Sequence, residues 1–181
     1  MTAPQNNPPA KIILIITTLT AFMTAFMGSS INIALPIIGV DFKASAILLS
    51  WISTSYLVST AALLLPVGKL TDIYGRTMFF KWGVILFTAG SLLCGLSFNT
   101  ESLLVFRIIQ GIGSSFIFSS STALLVSVFP QNQRGKVLGI NTASVYIGLS
   151  TGPFLGGVIT HNIHWRGIFF INVIVGIVLI I

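Results

Sequence analysis

Apolar side chains run along this chain in long uninterrupted stretches, broken only where charges, glycines or proline-bearing turns intervene. The stretches fall at about 12–38, 46–67, 78–96, 102–129, 137–159 and 167–181, and none alternates with the period of two that marks a half-buried strand. A helix rises 1.5 Å per residue and the hydrocarbon core of a bilayer is about 30 Å thick, so a run of about 20 apolar residues crosses it. The pattern therefore predicts an all-α membrane protein, with a cytoplasmic tail over 1–11 and a bundle of six transmembrane helices over 12–181. Five runs are of full length. The sixth holds 15 residues, roughly 22 Å of helix, and is expected to be cut short inside the bilayer.

Composition narrows the function. Hydrophobic residues make up 54% of the 181 and charged ones 7%, against about 25% charged in a soluble domain. The net charge of +6 comes from nine basic residues scattered singly against three acids, with no basic run, so no nucleic-acid partner is expected. Residues 1–10 carry no base, so the first run reads as a retained helix and not as a cleaved signal. Lys11, Lys69, Arg76, Lys81, Arg134 and Lys136 fall on one side of the bundle and Lys43 and Arg166 on the other. That imbalance places the N-terminus in the cytoplasm of a multi-pass protein in the cell membrane. Cys94 stands alone, which excludes an intrachain disulfide and a cysteine-based metal site. His161 and His164 lack an evident third ligand and read as a wet loop pair. Gly148-Leu149-Ser150-Thr151-Gly152 matches a hydrolase elbow by spacing, but within a membrane helix and without acid and histidine partners. No enzyme, metal or cofactor is expected.

Three segments carry candidate chemistry. Between spans 2 and 3, Gly68, Asp72, Gly75 and Arg76 mark a tight connection. Gly68 would allow close packing, Gly75 can take a positive φ, and Asp72 can cap the next helix or meet the positive end of another. The same residues would equally serve a solvated turn that only fixes topology. Arg107 lies about five residues into span 4, roughly 8 Å below its start. A central membrane arginine costs about 2.5–3.5 kcal/mol, so it either faces polar groups, with Gln110 and Gly111 nearby, or snorkels to the interface. In span 5, Gly148, Gly152 and Gly156 share a face with Ser144, and Pro153 is expected to kink the helix. Thr24 and Asn32 on span 1, with Ser55 and Ser59 on span 2, form polar stripes that either line a pathway or pack helices.

At these residues the sequence resembles the N-terminal six-helix half of a major facilitator superfamily transporter, most similar to the drug:proton antiporters with 14 spans. Gly68 to Arg76 matches the loop signature of that family, and Leu103, Arg107, Gln110, Gly111 and Gly113 its fourth-span signature. Gly139, Gly148, Gly152-Pro153 and Gly156-Gly157 fit the antiporter signature of span 5 at every position. Asn32-Ile33-Ala34-Leu35-Pro36 and Trp165-Arg166-x-x-Phe169-x-x-Asn172 add two patterns of the drug-exporter branch. The resemblance implies secondary active efflux of small organic compounds or drugs by proton antiport, through alternating access and with the proton gradient as driving force. It implies that the Asp72 loop helps lock a gate, that Arg107 serves proton coupling at the cavity, and that the span 5 glycine face packs across the interface between halves. Its partners would be the lipid bilayer, a small organic substrate, and a missing C-terminal half or a second six-helix chain. Met27 stands where the branch usually has an aspartate, Ile73 and Thr77 where it often has bases, and Ile174 where it has a proline. The acids Asp41, Asp72 and Glu101 all lie at span ends, so no mid-membrane carboxylate carries a proton. Two alternatives follow: a facilitator or importer without proton exchange, and a truncated six-helix membrane protein that does not transport.

Overall fold

The computed structural model describes residues 10–180. They form six helices: α1 (Ala10–Phe42), α2 (Ala46–Tyr74), α3 (Arg76–Gly95), α4 (Thr100–Val128), α5 (Gln131–Asn162) and α6 (Arg166–Ile180). Among the described residues there is no strand. By length and composition α1 to α5 can each cross a membrane, whereas α6 is shorter, with 15 described residues. The expected tail over 1–11 lies mostly outside the described residues; its last two positions already belong to α1.

The helices outrun the apolar stretches. α2 continues to Tyr74 and α5 starts at Gln131, because hydropathy marks where lipid can lie whereas backbone hydrogen bonding persists into the interface. Gly68 and Asp72 therefore sit on the last turns of α2 and not in a loop. The turn itself is Gly75, whose φ of 105° suits only glycine, and whose N–H donates to the carbonyl of Thr71 at 3.1 Å. α3 begins at once, with no side-chain cap, so Asp72 does not cap it. At the other end Asn99 and Ser102 form a reciprocal capping box that starts α4.

Burial inverts the soluble pattern. Thr17, Thr20 and Thr24 point inward and donate their hydroxyls to carbonyls one turn back, at 2.8, 2.9 and 3.0 Å, while Ile15, Val40, Ile47, Leu65 and Phe154 point outward. Lipid is as apolar as leucine, so the helices associate through close van der Waals packing of small residues. α1 packs chiefly on α5; α4 packs on both α3 and α2; α6 lies on α3. A Cβ added at Gly90 would stand 2.8 Å from the Cα of Gln110, which shows how tightly α3 meets α4.

The span 5 glycines require a correction. Their face is covered within this bundle, by α1, and does not await another half. A Cβ at Gly148 would come 2.6 Å from the carbonyl oxygen of Phe22, one at Gly156 would come 3.0 Å from that of Ser30, and one at Gly152 would overlap the Ser29 hydroxyl. Ser29 Oγ in turn donates to the carbonyl of Gly148 at 3.3 Å. A Cβ at Gly139 would meet nothing within 4 Å and one at Gly157 only Ile33, so neither belongs to this seam. Pro153 faces outward, and α5 runs unbroken through it.

Candidate functional site

Arg107 is wholly buried and does not snorkel. Its guanidinium reaches sideways from α4. Nε–H donates to the carbonyl of Ile52 on α2 at 3.1 Å, and Nη1 donates to Oε1 of Gln110 at 2.6 Å. The other end of the same amide, Nε2, donates to Ser91 Oγ on α3 at 2.7 Å, which orients Gln110 with its oxygen toward the cation. Beneath the guanidinium lies the ring of Tyr56, 4.2 Å from Cζ to centroid. The Tyr56 hydroxyl donates to the carbonyl of Thr24 at 3.1 Å and lies 2.9 Å from Ser114 Oγ. Nη2 has no partner among the described residues.

Among the described residues no carboxylate pairs with Arg107; the ion pairs present are Arg76–Asp72 and His164–Asp41. A buried charge without a counter-ion costs several kcal/mol, of order, after relaxation. Here a carbonyl dipole, an amide oxygen and an aromatic face offset part of that cost. The arrangement can hold a fixed positive charge in the middle of four helices and tilt the local potential toward anions. Tyr56, Ser91 and Ser114 escaped the sequence reading. The available signal was Tyr56 itself, a hydroxyl in mid-span that must find a partner.

The other candidates separate. Gly111 lets α2 approach α4: a Cβ there would stand 2.6 Å from the Tyr56 carbonyl oxygen, and Thr60 Oγ1 donates to the Gly111 carbonyl at 3.1 Å. Ser55 and Ser59 line a crevice of about 330 Å³ between α2 and α4, flanked by Leu104 and Ile108. Their hydroxyls turn back to their own helix, onto the carbonyls of Ile52 and Tyr56. Thr24 is buried and joins the Arg107 network only through its carbonyl. Asn32 is exposed and accepts from Ser53 Oγ at 2.6 Å. At the α2–α3 turn, Arg76 donates through Nη1 to the carbonyl of Ala123 on α4 at 3.0 Å and through Nη2 to Asp72 at 3.4 Å. The Asp72 side chain remains 65% exposed, and a Cβ added at Gly68 would meet nothing within 4 Å.

The sequence pattern described as Major Facilitator Superfamily matches residues 17–181. The chain belongs to the major facilitator superfamily. It is similar to the riboflavin transporter RibZ of Clostridioides difficile (strain 630), at 38% identity over 92% of this chain and 37% of that protein. It is similar also to the multidrug export protein EmrB of Escherichia coli (strain K12), at 33% identity over 98% of this chain and 35% of EmrB. The multidrug transporter protein MdtP of Bacillus subtilis (strain 168) is 32% identical over 100% of this chain and 34% of MdtP. The chain thus spans about a third of the length of the curated relatives it matches. In fold it resembles the crystal structure of a bacterial homologue of the human lysosomal transporter Spinster in its inward-facing and occupied conformation. That match has a TM-score of 0.80 at 20% identity, covering 97% of this chain and 44% of that one. That family is one of membrane transporters rather than enzymes, and five of the described helices are long and apolar enough to cross a membrane.

Proposed function

We propose that residues 12–181 form the N-terminal half of a secondary active transporter that exports small organic compounds in exchange for protons by alternating access. The observation that carries this reading is the Arg107 network, a cation held at 0% exposure on carbonyl, amide and aromatic partners. Structural packing alone does not call for such a charge, since an apolar residue of similar volume would be cheaper. Its chemistry is electrostatic. Arg107 disfavours a second cation nearby and favours the ionised form of any acid brought close to it. No carboxylate lies mid-membrane in these spans, so the proton carrier is contributed from the rest of the protein, and the proton gradient supplies the work with no cofactor. Asp72 sits on the last turn of α2, the wrong end for its own helix dipole, and is presented to the positive N-terminal end of a helix in the other half. The N-terminus faces the cytoplasm of the cell membrane, the orientation that the excess of basic residues on that side favours.

The test uses the long chain in everted vesicles carrying a pH-sensitive dye. Adding substrate to energised vesicles should release protons, and Arg107→Ala should abolish that release while leaving the protein in the membrane. Substrate flux that ignores the pH gradient would replace this reading with a facilitator. The multidrug names of EmrB and MdtP and the riboflavin transporter name of RibZ make an amphipathic dye and a flavin the first two substrates to try.

A further inference from the structure

The six helices fall into two groups, α1 with α5 and α2 with α3, α4 and α6, which pack more lightly against each other than within themselves. Between α1, α5 and α6 lies an apolar crevice of about 340 Å³, lined by residues such as Phe22, Phe26, Ile171 and Val175, so α6 is not sealed against α1 along its length. In mid-span Asn172 Nδ2 meets the Met27 sulfur at 3.3 Å, and a shorter, charge-bearing tie lies at the outer end. Trp165, at the start of α6, is fully buried although it follows a turn, and its Nε1–H donates to Oδ2 of Asp41 on the last turn of α1 at 2.7 Å. Its ring stands edge-on to Phe42 and Phe169, at 5.6 and 6.1 Å between centroids. Arg166 continues the tie to the α3–α4 turn: Nη2 donates to the carbonyl of Ser97 at 2.9 Å while Cζ lies 5.0 Å from the Trp165 ring. His164 Nε2 shares the same Asp41 oxygen at 3.2 Å.

Two of these charges break a local rule. Asp41 is acidic at a helix C-terminus and Arg166 basic at a helix N-terminus, each opposed by its own helix dipole. Each is satisfied by reaching another element, and such local conflict resolved by tertiary contact marks a site with a role. We propose that Asp41 and Trp165 are positioning residues for transport: they clamp α6 to α1 at the outer end so that the two groups of helices rock as one body. The proposal rests on the transport reading above, and touches neither substrate nor proton.

The experiment compares Trp165→Phe, Asp41→Ala and Asp41→Asn in the long chain, with flux normalised to folded protein and amide exchange followed over 38–42 and 163–170. Asparagine keeps an oxygen that accepts from the indole, so Asp41→Asn should behave as wild type. Trp165→Phe and Asp41→Ala should each lower the maximal rate about fivefold, the worth of one lost hydrogen bond, with KM within about twofold. The double variant should be no worse than either single one, since both remove one contact. Exchange should rise in Trp165→Phe and Asp41→Ala only. A raised KM with an intact rate, an Asp41→Asn as impaired as Asp41→Ala, or unchanged exchange would overturn the clamp. If the wild type moves no substrate, the transport reading fails, and the exchange data still decide whether the clamp exists.

Discussion

The two ends of this bundle, outer and inner on the proposed topology with the N-terminus in the cytoplasm, are built from the same parts and finished differently. At each, an acid closes one helix and an arginine opens another: Asp41 on α1 with Arg166 on α6 outside, Asp72 on α2 with Arg76 on α3 inside. All four oppose the dipole of their own helix. Outside, every one of the pair is taken up within the bundle, Asp41 by Trp165 and His164, Arg166 by the Ser97 carbonyl. Inside, Arg76 finds the Ala123 carbonyl, but Asp72 keeps only a 3.4 Å contact to Arg76 and stays 65% exposed. The outer end is a joint within the bundle, with Arg166 Nε left without a partner among the described residues. The inner end leaves Asp72 largely exposed, and a Cβ at Gly68 on the same helix would meet nothing within 4 Å.

Substitutions sharpen this contrast, beginning where space is already used. Gly152→Leu drives a side chain into Ser29 across the α1–α5 seam, and overpacking of at least about 3 kcal/mol should prevent assembly. Gly68→Leu, by contrast, should assemble normally and lose transport, because only the face left open is filled. Size-exclusion profiles in detergent check both, and a well-folded Gly152→Leu would break the distinction. Trp165→Ala removes a fully buried indole and should cost about 3–5 kcal/mol of stability, seen as a lower melting temperature. Asp72→Asn should leave that temperature unchanged and slow transport about fivefold, the low end of a coupling energy between moving parts; equal destabilisation by the two would make the inner end a joint like the outer. Gly139→Ala should be the mildest, a change within about 1 kcal/mol and in the stabilising direction, since nothing surrounds the site and alanine favours the helix.

Much of the fold was legible along the chain. Hydropathy located six helices because the bilayer imposes its thickness on every span, and the Gly75 turn was readable because one residue type alone adopts its φ. Arg107 stood out because a charge in an apolar run must either meet polar partners or snorkel to the interface. Gln110, three residues on along α4, was legible beside it, but Tyr56 and Ser91 were not, since they come from α2 and α3 and meet the pair only when the helices pack. The glycine stripe of α5 was visible as a stripe, but its partner was misread. A glycine carries no side chain by which to name its neighbour, so the same pattern fits α1 as well as a helix in another half. The sequence by itself thus determined the number, kind and membrane character of the helices, because each of those answers to lipid one residue at a time. Tertiary structure alone decided which small-residue face is filled and which charge is satisfied, because close approach and hydrogen bonding are properties of pairs of helices.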